Sequence, residues 1–395
     1  MNAIPRYRAW HGPALFAAGY RPFFLLSGLW AALAVPLWVA VFANALPPPP
    51  MSLPPVVWHV HEMVFGFGAA TVAGFLLTAI PNWTGRMPLS GLPLAGLAAL
   101  WLAGRAACLT AGLIGPVAAM IADLAFPAVF LGVVAREIIA GRNWRNLPML
   151  GALAALLIAN FLVHNEALGL GDTAALGNRL GVATLLALIS LIGGRIIPSF
   201  TRNWLVKQRP EITPPAPFGM IDRAALIFVI VALAFFVIAP DGRVMPWAAL
   251  AAGCALALRL RRWRGWASRR EPLLLVLHLG YGWLAFGFLV LGLATFLPWL
   301  PPTTALHALT VGAIGTMTLA VMTRATLGHS GRKLTAGAGT TAIYTLVTLA
   351  AVFRLSAPLA GAQYLFVLAL AGAAWSAAFV VFAGLYGPLF IRARA

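Results

Sequence analysis

The chain is a succession of long apolar runs separated by short polar connections, and that pattern leaves few folds open. The runs fall at about 23–43, 58–80, 91–110, 115–140, 147–168, 175–197, 221–239, 245–260, 272–297, 303–325, 337–355 and 361–388. Most approach or exceed the roughly 20 residues that a helix needs to cross the hydrocarbon core. They are continuous rather than alternating, so they read as helices and not as the strands of a closed barrel, the other structure that satisfies its backbone within lipid. The class that follows is all-α, a polytopic membrane helix bundle of about twelve transmembrane helices. Charged residues make up 9% of the 395 positions, against about a quarter in soluble domains, which excludes a sizeable soluble domain. The eighth run is short and ends in Arg259, Arg261 and Arg262.

The net charge of +18 has a positional meaning. Assigning loops alternately to the two sides puts all but four of the 27 Lys and Arg residues on one side, the exceptions being Arg105, Arg179, Arg243 and Arg354. Basic loops stay in the cytoplasm, so both termini are expected there. The densest cluster, Arg261-Arg262-Trp263-Arg264-Gly265-Trp266, flanks a span, where Arg and Trp anchor in anionic headgroups. The expected partner is the lipid bilayer and not nucleic acid. The first run exceeds the apolar core of a secretory leader and reads as a span.

Residues 1–395 are expected to form a single transmembrane domain. Two six-helix halves, about 1–200 and 221–395, are joined by a loop over 201–220 rich in proline (Pro210, Pro214, Pro215 and Pro217). No sequence repeat between the halves is evident. Cys108 and Cys254 lie in separate spans, so a disulfide framework, a Cys-based zinc site and a C-x-x-C-H haem attachment are all excluded, and any haem must be held non-covalently.

Ionisable residues at membrane depth carry a desolvation cost, which makes them functional suspects. His59 and His61 open the second span, His164 closes the fifth, His278 lies early in the ninth, and His307 and His329 bracket the tenth. By the loop assignment His59, His61, His164 and His307 lie toward the outer face and His278 and His329 toward the cytoplasm. Imidazole is the commonest protein ligand for haem iron, copper and zinc, so the outer group is a candidate metal or haem site. A single intramembrane histidine is more often hydrogen-bonded to a hydroxyl or carbonyl of a neighbouring helix; the grouping is what argues for ligation.

Residues two apart on a helix are about 200° apart, so His59 and His61 should serve different partners. His61 projects with Phe65, Gly68 and Val72, where Gly68 leaves room for a flat porphyrin ring, although close helix packing explains such glycines equally well. His59 shares a face with Glu62 and Met63, a nitrogen, oxygen and thioether set suited to copper, and His164 is the candidate to complete it. His307, followed by Gly312 and Gly315, repeats the imidazole-then-glycine pattern of His61, and two such helices would sandwich one haem. His278 with Tyr281, and His329 near Arg324, form a weaker candidate for an inner second site or proton path.

Several segments carry a resemblance. Trp58-His59-Val60-His61-Glu62-Met63-Val64-Phe65-Gly66, running on to Ala79-Ile80-Pro81-Asn82-Trp83-Thr84-Gly85-Arg86, resembles the signature of the NnrS family. So do Tyr20-Arg21-Pro22-Phe23-Phe24, Gly193-Gly194-Arg195-Ile196-Ile197-Pro198-Ser199-Phe200-Thr201-Arg202-Asn203, His278-Leu279-Gly280-Tyr281 and the stretch from His307 to Gly331. The resemblance implies a multi-pass protein of the bacterial inner membrane that contains haem and copper and serves the nitric-oxide response, linked to denitrification and nitrosative stress. Its ligands, electron donor and turnover are not fixed by the resemblance. A weaker similarity touches the catalytic subunit of haem-copper oxidases, whose second helix carries a haem-ligating histidine. The adjacent His-His pair of that subunit has no counterpart here.

The leading expectation is therefore a haem- and copper-binding membrane protein acting on nitric oxide or iron-nitrosyl species. The alternative is a twelve-helix secondary transporter, which two six-helix halves and a central loop would suit. A purely structural assembly partner is the third reading and requires no metal.

Overall fold

Apolar runs of this length must close their backbone hydrogen bonds internally, and in the computed structural model, which describes residues 12–392, they do so as helices. In chain order these are α1 (Tyr20–Phe42), α2 (Pro55–Thr84), α3 (Leu92–Leu109), α4 (Pro116–Ala140), α5 (Trp144–Ala167), α6 (Ala174–Gln208), α7 (Met220–Ile238), α8 (Met245–Arg261), α9 (Pro272–Leu293), α10 (Pro302–His329), α11 (Ala338–Leu359) and α12 (Gly361–Ile391). There is no strand among the described residues. Eleven of the helices are long and apolar enough to cross a membrane, and α8, at 17 residues, is the exception. The chain is thus an all-α, multi-pass membrane bundle.

Proline sets several of the starts. Pro55, Pro116, Pro272 and Pro302 each occupy a first helical turn, where the missing N–H is no loss. Glu271 caps α9 by accepting from the Leu273 N–H at 3.1 Å, and the same oxygen accepts from the Ala336 N–H at 3.1 Å.

Two compact units emerge from the packing. One contains residues up to Gly181, with Ala325–Arg332 and the chain from Phe379 onward; the other contains Val182–Arg324 and Lys333–Ala378. The first has an aromatic core in which Phe23 meets Phe126 and Phe67 meets Phe379, with ring centroids 5.6 and 5.3 Å apart. The second has Trp263 against Tyr281 at 4.5 Å, both fully buried.

Three of these helices contain a π-helical segment. Glu62–Gly68 of α2, Ile189–Gly193 of α6 and Ala308–Gly315 of α10 are wound as π-helix. The wider turn redirects backbone carbonyls toward neighbours, and such segments concentrate at functional sites. In α2 the Gly66 carbonyl accepts from Trp101 Nε1 at 3.1 Å and the Phe67 carbonyl accepts from Ser27 Oγ at 3.0 Å. In α6 the Ser190 carbonyl accepts from Arg259 Nη1 at 3.2 Å.

Helices α2 and α10 follow one plan. Each begins with proline, reaches a histidine (His61, His307) and passes at once into the π segment. Gly66 follows His61 at the spacing at which Gly312 follows His307, and Gly85-Arg86 follows at the spacing of Gly331-Arg332. Gly85 and Gly331 both take left-handed backbone angles, φ 72° and 77°, beyond the helix end. The packing recurs too: Trp30 of α1 lies against Gly66, and Trp283 of α9 lies against Gly312. The repeat that residue identities alone do not reveal is therefore present in the local structure.

Candidate metal centre

The first unit encloses a polar group built from four helices. From α2 come His61 and Glu62, from α3 Arg105 and Cys108, from α4 Asp123, and from α5 Asn160 and His164; all are buried. His61, Cys108, Asp123 and His164 each present a ligand atom, and these atoms all lie within 4.8 Å of one another. Two imidazoles, a thiol and a carboxylate at such spacing can close around one ion with little movement.

Asp123 is the hub. Its Oδ2 lies 3.1 Å from His61 Nε2, 3.0 Å from His164 Nε2 and 2.8 Å from Asn160 Nδ2. Its Oδ1 accepts from Arg105 Nη2, while Arg105 Nη1 donates to Glu62 Oε2 at 2.5 Å. His61 Nδ1 reaches Glu62 Oε1 at 3.0 Å, and its Nε2 also reaches Asn160 Oδ1 at 2.8 Å. The rings of His61 and His164 meet edge to face at 5.2 Å.

The charge count of this group is informative. Two carboxylates and one guanidinium leave one negative charge when the imidazoles and the thiol are neutral. A buried net charge is strongly unfavourable, so a further cation belongs here, either a proton on an imidazole or a metal ion.

Sequence reasoning placed some of these residues and missed others. His164 joins His61 and not His59, whose ring stacks on Trp38 at 4.1 Å. Glu62 joins through Arg105 and His61, whereas Met63 is half-buried and outside the four-residue group. Gly68 is buried in the π segment. The neighbouring glycines serve close packing: a Cβ at Gly66 would stand 2.8 Å from Trp30 Nε1, and one at Gly312 2.8 Å from Trp283. Cys108, passed over because no Cys-based motif exists, supplies the thiol. Asp123 was the visible signal that went unused, an isolated acid within an apolar run.

His307, the other expected haem ligand, is half-buried in the second unit. Its Nδ1 donates to the Thr303 carbonyl at 2.6 Å, which fixes the tautomer and leaves the lone pair on Nε2.

The weaker inner candidates are dispersed. His278 Nε2 bonds Thr201 Oγ1 at 2.9 Å. Tyr281 accepts from Arg259 Nη1 at 2.8 Å, and Arg259 Nε in turn donates to Asp222 Oδ1 at 2.9 Å. Arg324 lies over the Phe200 ring at 4.1 Å, and in the first unit His329 packs against Tyr20 at 5.5 Å. Arg105 and Arg259, which the loop assignment treats as surface charge, are both buried.

No curated protein matches the chain at a significant level. A family model does: the description NnrS protein covers residues 14–394, nearly the whole chain, and with that match the chain belongs to the NnrS family.

Proposed function

We propose that this NnrS-family membrane protein holds a copper ion at His61, Cys108, Asp123 and His164, carries a non-covalent haem on His307, and acts in the nitric-oxide response of a bacterial inner membrane. The single observation that carries the reading is the buried convergence of two imidazoles, a thiol and a carboxylate from four helices.

The donor chemistry supports the ion. Two imidazoles, a thiolate and a carboxylate can take copper or zinc, so the choice of copper rests on the family. Glu62 and Asn160 orient the His61 ring from either side, and Arg105 holds the Glu62 and Asp123 carboxylates in place. With both nitrogens of His61 engaged in this group, His61 would serve the ion and not a haem. His307 is the residue that would hold a haem through Nε2, because its tautomer is already set by Thr303. When bound, these groups supply one-electron chemistry and open positions for a small apolar ligand. The chain's part is to fix the ligands, exclude water and balance the buried charge.

A second reading, the secondary transporter, gains from the repeated helices α2 and α10, since internal repeats with interrupted helices recur in transporters. Metal and pigment analysis of the purified full chain separates the two. After reconstitution with copper and haemin, the proposal expects about one copper per chain and a Soret band. Copper should be lost in Cys108→Ser and His164→Ala with the Soret band retained, and the Soret band should be lost in His307→Ala with copper retained. His278→Ala should keep both. A wild-type chain that takes up neither would overturn the proposal and leave the transporter.

A further inference from the structure

The recurrence of α2 in α10 extends to a buried arginine, and there the two units differ in charge. In the first unit Arg105 of α3 is neutralised by Glu62 and Asp123. In the second, Arg354 stands near the end of α11, the helix that packs against the first turns of α10 up to His307. Arg354 is 8% exposed and, among the described residues, forms no ion pair within 4.0 Å and leaves both Nε and Nη1 without a hydrogen-bond partner. The residue that matches Glu62 by spacing from the histidine is Ala308. The neutralising acid adjoining the histidine in the first unit is thus missing from the second.

Other donors collect on the same elements. Helix α11 packs against the first turns of α10, and the buried Thr304 Oγ1, one turn before His307, also lacks a partner. A guanidinium removed from water with two of its nitrogens unbonded is among the least favourable groups a bundle can bury, unless an anion completes it.

We propose that Arg354 and Thr304 bind an oxyanion, a carboxylate or phosphate group belonging to a ligand seated beside His307. Two sources present that chemistry: the carboxylates of a porphyrin whose iron His307 takes, which rests on the haem reading above, and the headgroup phosphate of an anionic lipid, which does not. Arginine recognises either by charge-assisted, paired hydrogen bonds.

The test uses the full chain in neutral detergent and follows binding together with thermal unfolding. One arm titrates haemin against its dimethyl ester, which keeps the iron and loses the free carboxylates. The other adds dioleoylphosphatidylglycerol against dioleoylphosphatidylcholine. Wild type should prefer at least one anionic probe over its neutral partner by about tenfold or more, the scale of a charge-assisted hydrogen bond. Arg354→Gln should abolish that preference and Arg354→Lys retain part of it. Without ligand, Arg354→Gln should unfold no lower than wild type, since it removes an uncompensated charge, so a lost preference cannot be laid to misfolding. If neither anionic probe separates wild type from Arg354→Gln, the proposal is overturned. Loss of haemin binding in His307→Ala with no effect of Arg354→Gln sinks this site alone. Protection by the anionic lipid through Arg354 with no haemin bound sinks the haem reading and leaves this site standing.

Discussion

Asp123 organises the first unit's polar group more than any histidine does, because one carboxylate oxygen meets three nitrogen donors while the other holds Arg105. Replacing it with asparagine leaves Arg105 in an ion pair with Glu62 alone and turns one of the two acceptor positions that serve Arg105, His61, His164 and Asn160 into a donor. Hydrogen bonds to a buried carboxylate contribute about 1.5–3 kcal/mol each, and their loss outweighs the relief of the one excess negative charge, so Asp123→Asn should unfold below wild type even with metal withheld. Cys108→Ser forms a useful contrast. The thiol contributes a ligand atom but belongs to none of these ion pairs, so the metal-free protein should unfold close to wild type and only the gain on adding copper should vanish. Differential scanning fluorimetry with and without copper reads both. Equal losses in the two metal-free variants would mean that the thiol is structural. At this scale the sequence was partly legible. Histidines stand out because they are few, and His61 and His164 were both visible as candidates; their meeting was not, since it depends on which faces of α2 and α5 turn inward. Arg105 resembled a loop residue at a helix end, and only the fold reveals that its guanidinium turns back into the bundle.

The elements explain why the glycines stand where they do. In α2 the π segment and Gly66 together admit Trp30, Glu62 and Arg105 to the backbone, and an added Cβ would lie 2.8, 2.9 and 3.0 Å from their polar atoms. In α6 a Cβ at Gly194 would run into the Arg259 guanidinium, which bonds the Ser190 carbonyl of the adjacent π turn. Overfilling of this kind costs about 1–3 kcal/mol. Gly66→Ala and Gly194→Ala should therefore both lower the unfolding midpoint, the first with weakened metal uptake and the second without it. Gly96→Ala in α3 is the control: nothing lies within 4 Å of the added carbon, and alanine is the better helix former, so no loss is expected. Unchanged midpoints for Gly66→Ala and Gly194→Ala would show that these helices relax around the extra atom. The twelve helices themselves were legible as apolar runs, because hydrocarbon leaves the backbone no alternative. The π turns were not, since they change the direction of a few carbonyls without changing hydropathy, and the kinship of α2 and α10 hid behind substitutions that keep little beyond the opening proline, the His and Gly and the Gly-Arg exit.

For the whole molecule, the structure sharpens the argument from charge to orientation. A loop count takes every Lys and Arg as a topogenic charge, yet Arg21, Arg105, Arg259 and Arg354 are buried within the protein. Arg21 is spent on the Phe390 and Arg392 carbonyls, at 3.0 and 2.8 Å, and Arg259 on Asp222, Tyr281 and the Ser190 carbonyl. Setting these aside removes two residues from the basic side and two from the sparse side. The sparse side then keeps only Arg179 and Arg243, while the basic side keeps the cluster from Arg261 to Arg270 and the loop around Arg332 and Lys333. Asymmetry in short loops determines orientation, so the correction strengthens the expectation of cytoplasmic termini. On that expectation the starts of α2 and α10, and with them His61 and His307, would lie toward the outer face. Reporter fusions decide this. Green fluorescent protein fused after residue 392 should fluoresce and alkaline phosphatase at the same point should be inactive, whereas phosphatase fused within the α9–α10 connection, 294–301, should be active. The opposite pattern would place both histidines in the cytoplasmic leaflet and would turn the arginine clusters into structural charge with no part in orientation.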